Sequence, residues 1–534
     1  MQHLKFWLKV ISLLLLWGIL LPRLVHAQPG SPDPAFGGGD GFFTTSFLSE
    51  GHASASAVAI QSNGRIVVAG GTWIPNGSTP SQLALARYMP DGSLDPTFGQ
   101  AGKAIFSLAD WSISATDMLL LPDGKILCTG NMWNDTQSRW MLARIHTDGT
   151  LDNTFDGDGI LITQVGNYSQ SANALALQPD GKIVVAGNAN ISGYHEVAVV
   201  RYKSSGMLDN TFGGGDGIVT TPVGESYAGA SDLVVQPDGK IVISGYAKTN
   251  GFEDFLALRY NANGMLDNSF SGDGIIMVSF TAKNDRSTSI ALQPDGKLVL
   301  AGYAGSIGAP ADVEMAVLRL KADGTPDNTF SGGGQATIHV SSWGEFAYDV
   351  LVQPDGKILV GGSGRVNANL YHFSLARLNT NGTPDNSFND DGIVIFPIGP
   401  LQSEIYAIAL QPDGKVVTVG WELHDSFWHF AIARFLTGLT VDSNAPTVFS
   451  GKTTLYPNPV REQATLEYEL SSNEEVEINL YDLQGRFIQN LLPRTERMAG
   501  KCSETILFTH ELPSGTYFLT IETASGKTAL EVIF

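Results

Sequence analysis

The chain has 534 residues, more than one ordinary hydrophobic core holds, so its length predicts several domains or an array of repeats. Its 53 acidic and 32 basic residues give a net charge of −21, which repels phosphate backbones and anionic lipid head groups and therefore disfavours binding to nucleic acids or membrane surfaces. The 60 glycines and a charged fraction of only 16% indicate a turn-rich, all-β protein.

Residues 1–27 have the pattern of a secretory signal peptide. Lys5 and Lys9 are followed by an apolar run from Val10 to Leu21, and the segment that ends at Ala27 supplies the cleavage site. The alternative is a membrane anchor, but the run is shorter than the roughly 20 apolar residues that a spanning helix needs. We therefore predict that the signal peptide is cleaved and that the mature chain has no transmembrane anchor.

A repeat then occupies residues 28–436. Its clearest copy, LALQPDGKIVVAG, runs from Leu175 to Gly187, and seven copies follow one another at steps of 57 to 60 residues. Such a period is typical of repeat architectures. The glycines of the seven turns are Gly64, Gly124, Gly181, Gly239, Gly296, Gly356 and Gly414.

Each period contains four strand-like runs. In the third copy the runs are Ala172 to Gln178, Lys182 to Gly187, Glu196 to Tyr202 and Ile218 to Thr221. Within the second run, Ile183 to Ala186 are apolar on both faces, as expected for a strand packed on both sides. A two-sheet sandwich would leave its outer faces wet, and a β-solenoid needs a shorter coil, so four short strands per period predict a seven-bladed β-propeller. The Ala- and Ser-rich first run is predicted to be the innermost strand.

Two motifs recur once per blade and show how the ring closes. The third run carries an arginine, at Arg87, Arg144, Arg201, Arg259, Arg319, Arg377 and Arg434. An Asp-x-x-Phe motif begins at Asp33, Asp95, Asp152, Asp209, Asp267, Asp327 and Asp385. Because the last arginine has no such motif after it and the first motif precedes the first full repeat, the N-terminal strand is predicted to complete the last blade, which removes free sheet edges.

These arginine and aspartate residues could form anion or metal sites, but one pair in every blade favours a repeated structural contact. Asp-Gly runs such as that from Asp156 to Gly159 raise calcium as an alternative, since calcium prefers several oxygen ligands on a short loop. They lack the spacing of an EF-hand, and Asp-Gly is also ordinary turn chemistry. The sequence otherwise predicts no cofactor and no metal.

Aromatic residues recur in the variable connection between the second and third runs. They could stack on sugars or anchor a partner, or they could cap the hydrophobic ends of the blades. These candidate binding residues are Trp73, Trp133, Tyr194, Phe252, Tyr371 and Trp421.

No catalytic residues are predicted. The sequence contains no HExxH, GxSxG or P-loop motif, and its histidines lack metal-ligand spacing. A pair of carboxylic acids of the glycosidase type assembles in space and leaves no sequence signature, so that alternative stays open.

The repeat stops near Leu436, and residues 437–452 have the composition of a linker. Residues 453–534 alternate charged and apolar side chains in short strands, which predicts a small Ig-like β-sandwich. The segments YPNPV, YDLQGR and LPSGTYFLTI resemble the C-terminal sorting domain of the type IX (Por) secretion system of Bacteroidetes-type bacteria. The motif residues are Tyr456, Pro457, Asn458, Pro459, Gly485, Gly515 and Tyr517.

That resemblance implies export to the periplasm, recognition of the tail by outer-membrane machinery, and release or attachment at the cell surface. The repeats resemble the delta-60 repeat, although the first copy has SNGR in place of PDGK. We therefore expect a secreted or surface-attached propeller that acts as a non-catalytic binding or adhesion module for glycans or a surface protein. The alternative is an extracellular polysaccharide-degrading enzyme with its site on the propeller face or in the channel.

Overall fold

A computed structural model describes most of the chain. It covers residues 28–439, except 76, 78, 226, 306–311, 342 and 368–369, and residues 453–533, except 457–459, 461, 471–472, 482–486, 509–511, 513–515 and 524–526. The predicted signal peptide and residues 440–452 of the predicted linker lie outside this range. Within the described residues, no helix is long and apolar enough to cross a membrane.

Seven antiparallel sheets of four strands form the blades, and we number them by their first strands in chain order. The first strands are His52–Ile60, Ser112–Leu120, Gln170–Leu177, Ala228–Val235, Asp285–Leu292, Glu345–Val352 and Ser403–Leu410. The second strands are Ile66–Trp73, Ile126–Trp133, Ile183–Ile191, Ile241–Thr249, Leu298–Ala304, Ile358–Asn367 and Val416–His424. The third strands are Gln82–Tyr88, Ser138–Ile145, Tyr194–Tyr202, Phe252–Tyr260, Glu314–Leu320, Leu370–Leu378 and Phe427–Phe435. The fourth strands are Lys103–Phe106, Ile160–Thr163, Ile218–Thr221, Ile275–Val278, Gln335–Ile338, Ile393–Phe396 and, for blade 7, Phe42–Thr45.

The turn between the first and second strands is built from the Pro-Asp-Gly sequence. In blade 3, Asp180 Oδ1 accepts a hydrogen bond from the Lys182 N–H at 3.2 Å, and Gly181 has a φ of 78°. The aspartate thus closes the turn with its side chain, and glycine supplies the left-handed conformation that the turn requires.

The second and third strands extend farther than the sequence predicted. In blade 3 they run to Ile191 and from Tyr194, whereas the predicted runs ended at Gly187 and began at Glu196. Ser192 and Gly193 have φ values of 53° and 94°, as in a two-residue type I′ hairpin. Because this tight turn matches the twist of the strands, the ladder continues to it.

The first strands of successive blades contact one another around the ring, and the last also contacts the first. They therefore surround the axis. Phe42–Thr45 pairs antiparallel with the third strand of blade 7, in the register Phe42 opposite Ala433 and Thr45 opposite Phe430. The Gly30 N–H also donates to the Leu436 carbonyl at 2.6 Å. These contacts are consistent with a ring closed by its N-terminal strand.

Two sheets form the C-terminal domain. One contains Thr454–Tyr456, Gln463–Leu470 and Gly500–Leu507 in that order, and the other contains Phe487–Arg497, Glu474–Tyr481, Thr516–Glu522 and Lys527–Ile533 in that order. Leu466 from the first sheet and Ile478 and Leu519 from the second lie in one fully buried cluster. The domain is thus a two-sheet sandwich, consistent with the Ig-like prediction.

Candidate functional site

The alternation of strand direction gives each blade two ends. We call the end with the Pro-Asp-Gly turns and the Asp-x-x-Phe motifs the turn face, and the end with the connections between the second and third strands the loop face. The two faces place the predicted site residues in very different surroundings.

On the turn face, each repeat arginine contacts the aspartate of its own blade. In blade 5, Arg319 Nε donates to Asp327 Oδ2 at 2.8 Å, its Nη2 donates to the Thr329 hydroxyl at 3.0 Å, and the guanidinium lies 4.7 Å from the centroid of the Phe330 ring. Nη1 donates to the carbonyl of Thr380 in blade 6. The Nε to Oδ2 distances in the seven blades range from 2.6 to 2.9 Å.

The same cluster joins neighbouring blades. A Cβ atom added at Gly382 of blade 6 would meet the Phe330 ring at 2.9 Å, so the phenylalanine of one blade packs directly against the glycine turn of the next. Arg434 closes the circle, because it contacts Asp33 at 2.7 Å and donates to the Pro90 carbonyl of blade 1 at 2.5 Å. Seven equivalent clusters support a scaffold role for the arginine and aspartate residues.

The pKa of every aspartate in these clusters is lowered. Burial alone would raise the pKa of Asp267, but hydrogen bonds from Ser269 and the charge of Arg259 outweigh it and lower that pKa to about 2. The pKa of Asp385 is lowered to about 2 in the same way, against its burial, by Lys357, Ser387 and Arg377. These carboxylates stay ionised across the physiological pH range and pair with arginine and lysine side chains of the protein.

On the loop face, three positions in each blade surround the mouth of the central channel. Two lie in the first strand, where half-buried residues alternate with buried ones, and the third pairs with one of them from the second strand. The first-strand pairs are Ser54/Ser56, Ser114/Thr116, Ser171/Asn173, Gly229/Ser231, Arg286/Thr288, Phe346/Tyr348 and Glu404/Tyr406. Their second-strand partners are Gly71, Asn131, Asn188, Tyr246, Tyr303, Ser363 and Trp421.

The channel mouth is therefore asymmetric. Blades 1 to 3 supply only serine, threonine, asparagine and glycine at these positions, whereas blades 4 to 7 supply large aromatic or charged side chains. We call the aromatic members the aromatic wall: Tyr246, Tyr303, Phe346, Tyr348, Tyr406 and Trp421. Small polar residues thus lie on one side of the mouth and the aromatic wall on the other.

Most members of the wall contact another aromatic ring. The ring centroids of Tyr303 and Phe346 are 5.1 Å apart, and those of Tyr348 and Tyr406 are 5.0 Å apart, both in T-shaped pairs. Trp421 stacks on Trp428 at 4.7 Å. These contacts hold the rings in fixed orientations.

Charged residues accompany the wall. Arg286 forms two hydrogen bonds with Glu253, at 2.8 and 2.9 Å, and its guanidinium lies 3.8 Å from the Tyr246 ring centroid. Burial raises the pKa of Tyr246 to about 12. Glu404 lies within hydrogen-bonding reach of Tyr406 and Trp421, and burial raises the pKa of its carboxyl group.

The six predicted loop aromatics lie in different surroundings. Trp421 belongs to the wall and lies inside the second strand of blade 7, and Trp73 joins it through Trp428 at a centroid distance of 5.5 Å. Tyr371 lies beneath the Arg365 guanidinium at 4.4 Å. The other three are exposed strand ends in blades 2 to 4, namely Trp133 at 37%, Tyr194 at 56% and Phe252 at 47%.

Sequence reasoning missed five of the six wall residues because they lie within strands and not in the connections. A signal was present in the first strand, where Phe346, Tyr348 and Tyr406 replace the small residues of the other copies. In the second strand, Tyr246 and Tyr303 occupy the position of Gly71 in blade 1.

In the Asp-Gly runs, aspartate side chains accept hydrogen bonds from backbone N–H groups two residues later. Asp158 Oδ1 accepts from the Ile160 N–H at 2.9 Å, and Asp216, Asp273 and Asp391 make the same bond at 2.9 to 3.0 Å. Across the described parts of the chain, no group of three or more histidine, cysteine or acidic residues has the geometry to hold a metal ion.

In the C-terminal domain, Tyr517 is buried in the core, and Tyr456 is 49% exposed and donates to Glu467 at 2.9 Å. The other predicted motif residues, Pro457, Asn458, Pro459, Gly485 and Gly515, lie outside the described residues.

Comparison with solved structures finds distant propeller-like neighbours. The crystal structure of polysaccharide lyase Uly1 is 12% identical, covers 72% of this chain and 90% of its own, and has a TM-score of 0.45. A polysaccharide lyase described as PL25-ulvanlyase is 12% identical, with coverages of 74% and 96% and a TM-score of 0.42. Sqt1 of Chaetomium thermophilum is 13% identical, with coverages of 73% and 96% and a TM-score of 0.35. These likenesses are too distant to indicate an activity, and no curated protein sequence matches the chain.

Two family matches confirm the predicted repeats and tail. Seven segments match the domain of unknown function (DUF5122) beta-propeller, at residues 61–98, 121–155, 178–212, 236–270, 293–330, 353–388 and 411–444. Residues 454–534 match the secretion system C-terminal sorting domain, Por_Secre_tail. The chain is therefore a DUF5122 β-propeller repeat protein that is secreted through the type IX system to the cell surface or the extracellular space.

Proposed function

We propose that this secreted propeller is a non-catalytic binding module that holds a carbohydrate polymer at the channel mouth of its loop face. The observation that carries the proposal is the asymmetric mouth, where the aromatic wall of blades 4 to 7 stands opposite the small polar residues of blades 1 to 3. A site of this shape can receive a ligand from the open side and hold it against fixed rings.

Carbohydrate fits this chemistry better than other extracellular polymers. Sugar rings present C–H surfaces to aromatic faces and hydroxyl groups to polar side chains, and the mouth offers both kinds of group. The half-buried Tyr348 and Tyr406 supply rings with hydroxyl groups, and Asn173 supplies an amide on the opposite side. A folded protein partner would bury a larger and flatter surface.

The exposed aromatics extend the same face. Trp133, Tyr194 and Phe252 lie at its edge in blades 2 to 4, and the exposed Tyr168 and Trp343 lie in connections between blades on the same side. On the turn face, the large apolar side chains exposed beside the third-strand turns are Met207 and Met265. Exposed aromatics on one face favour contact with a polymer that extends beyond the mouth.

The test is affinity electrophoresis of the mature protein in gels that contain plant or algal polysaccharides, backed by a glycan array. Tyr406→Ala should weaken binding by about tenfold or more, because stacking on a buried ring contributes roughly 1.5 kcal/mol. The control is Met207→Ala, which removes an exposed apolar side chain from the turn face, away from the proposed site. Equal affinity of the wild type and Tyr406→Ala, at unchanged thermal stability, would contradict the proposal.

One observation favours an enzyme as the second candidate. Glu404 has a raised pKa and lies beside the Tyr406 hydroxyl, the kind of arrangement that suits a general acid. If the protein degrades polysaccharide, incubation releases new reducing ends and Glu404→Gln abolishes that release. Binding without release of reducing ends, retained in Glu404→Gln, supports the non-catalytic module.

A further inference from the structure

Two arginines accompany the aromatic wall, and they differ in how their charge is compensated. Arg286 has a bidentate partner in Glu253. Arg365, in the second strand of blade 6, has no carboxylate within ion-pair distance among the described residues, and its Nε is buried without a hydrogen-bond partner there. A buried guanidinium N–H without an acceptor is costly, and because Arg365 is only partly buried, its terminal nitrogens are the donors left for a ligand.

The surroundings of Arg365 limit which acceptor can reach it. Tyr371 is the cross-strand partner of Arg365, and its ring centroid lies 4.4 Å from the guanidinium carbon. This contact restricts the orientation of the guanidinium plane. The carboxyl group of Glu404 lies within electrostatic reach of Arg365, but it is hydrogen-bonded to Tyr406 and Trp421, and burial raises its pKa. Arg365 thus lies beside the wall with its charge available to a ligand.

We propose that Arg365 makes this site selective for acidic polysaccharides, by binding the carboxylate of a uronic acid whose ring packs against Tyr348 and Tyr406. The planar guanidinium offers its two terminal nitrogens as paired donors, a spacing that matches the two oxygens of a carboxylate. This inference rests on the proposed carbohydrate-binding function and names the class of sugar.

The local positive charge also explains how a protein with a net charge of −21 can bind a polyanion. Long-range repulsion is screened over about 8 Å at physiological ionic strength, whereas a contact at the guanidinium is short-range and desolvated. Binding should therefore depend on this one contact more than on the overall field. Raised salt should weaken it only modestly.

The experiment compares polygalacturonate, alginate and glucuronoxylan with their carboxyl-reduced counterparts, in which each uronate has become a neutral sugar. Neutral cellulose, xylan and mannan complete the panel. For the mature protein we expect at least one acidic polymer to bind about tenfold more tightly than its reduced form, since a charge-assisted bidentate contact contributes about 1.5 kcal/mol or more.

Arg365→Gln should abolish that preference and leave affinity for the reduced polymer unchanged. The matched control is Arg139→Gln, which removes a half-buried arginine from blade 2 on the same face and should retain the preference. Thermal melting checks that both variants are folded.

The remaining outcomes separate the two proposals. Equal binding of acidic and reduced polymers, or binding of neutral polymers alone, would refute the role of Arg365 and leave carbohydrate binding in place. A preference that persists in Arg365→Gln would also refute it. Failure of every polymer in the panel to bind would refute the proposed function, and this inference with it.

Discussion

The two faces of the propeller differ in how far their residues repeat. On the turn face, seven clusters of arginine, aspartate and phenylalanine adopt one geometry, with the guanidinium 4.5 to 4.8 Å from the phenylalanine centroid in each blade. On the loop face, the channel-mouth positions change from glycine in blade 1 to tryptophan in blade 7. The contrast indicates that contacts on the turn face hold neighbouring blades together, whereas the side chains on the loop face can differ from blade to blade.

Strand geometry makes this division workable. The turn-face clusters lie on connections that touch the next blade, so a change in any one of them weakens an interface between blades. At the channel mouth, half-buried side chains such as Tyr348 and Tyr406 differ from blade to blade, whereas the strand pairing of the sheet behind them is the same in each blade. Mutations on the turn face should therefore change stability, and mutations at the channel mouth should change binding.

The largest effect is expected on the turn face. Arg319→Met should lower the free energy of unfolding by about 3 to 5 kcal/mol, because it leaves Asp327 buried without its main partner and removes the link to blade 6. Urea denaturation measures the change. Polysaccharide affinity should not change, because the residue lies at the opposite face.

The control for that variant is Lys283→Met, which breaks an exposed ion pair with Asp312 at 2.7 Å. Exposed pairs contribute about 0 to 1 kcal/mol, so this change should be small. If Arg319→Met lost affinity at unchanged stability, the distinction between the two faces would be wrong.

An intermediate effect is expected from Asp349, in the first strand of blade 6. The Ser289 hydroxyl lies 2.9 Å from Asp232 and 2.8 Å from Asp349, and Asp349 also accepts from the Ile408 N–H at 2.8 Å. Burial, together with the charge of Asp232, raises the pKa of Asp349 to about 6. The hydroxyl has one proton for two carboxylates, so protonation of Asp349 completes the network.

The sign of the pH dependence follows from this shift. An aspartate ionises near pH 3.9 in the unfolded chain, so the free energy of unfolding should fall as pH rises from about 4 to about 6, by at most about 3 kcal/mol, and then level off. Asp349→Asn should reduce this slope by the contribution of Asp349, whereas Asp117→Asn, at the same position of blade 2, should leave that contribution in place. A slope unchanged in Asp349→Asn would assign the titration to another group.

The smallest effect is expected from chelation. The aspartates of the Asp-Gly runs already bind backbone N–H groups, so we expect EDTA to shift the melting temperature by less than about 1 °C. A melting temperature that rises with millimolar calcium and falls with EDTA would instead support the calcium alternative. It would also mean that the turn face binds a metal ion in addition to forming the contacts between blades.

Much of the fold follows from local sequence. The Pro-Asp-Gly turns and the two-faced apolar second strands predict the hairpins, and the count of arginines against Asp-x-x-Phe motifs predicts that Phe42–Thr45 joins blade 7. The ends of the second and third strands were harder to predict, because Ser192-Gly193 is a weaker turn signal than Pro-Asp-Gly. The strand pairing also continues beyond the residues that recur from one copy to the next.

The candidate site was only partly predictable. Loop position singled out Trp421, and Trp73 beside it, but Tyr246, Tyr303 and Tyr348 lie within strands of three different blades. Which residue of a first strand faces the channel depends on the register, and every first strand has a bulge that shifts it, as between Ala347 and Asp349. Periodicity alone does not locate that shift.

The sequence by itself determined the repeat number, the all-β class and the export tail, because each is written in local spacing that recurs or matches a known signal. Only the tertiary structure decided that aromatic residues from blades 4 to 7 meet in one wall and that Arg365 lies beside them with no carboxylate at ion-pair distance in the described part of the chain. The physical reason is that ring closure brings together residues of different repeats, and the distances between them depend on how the blades pack around the axis.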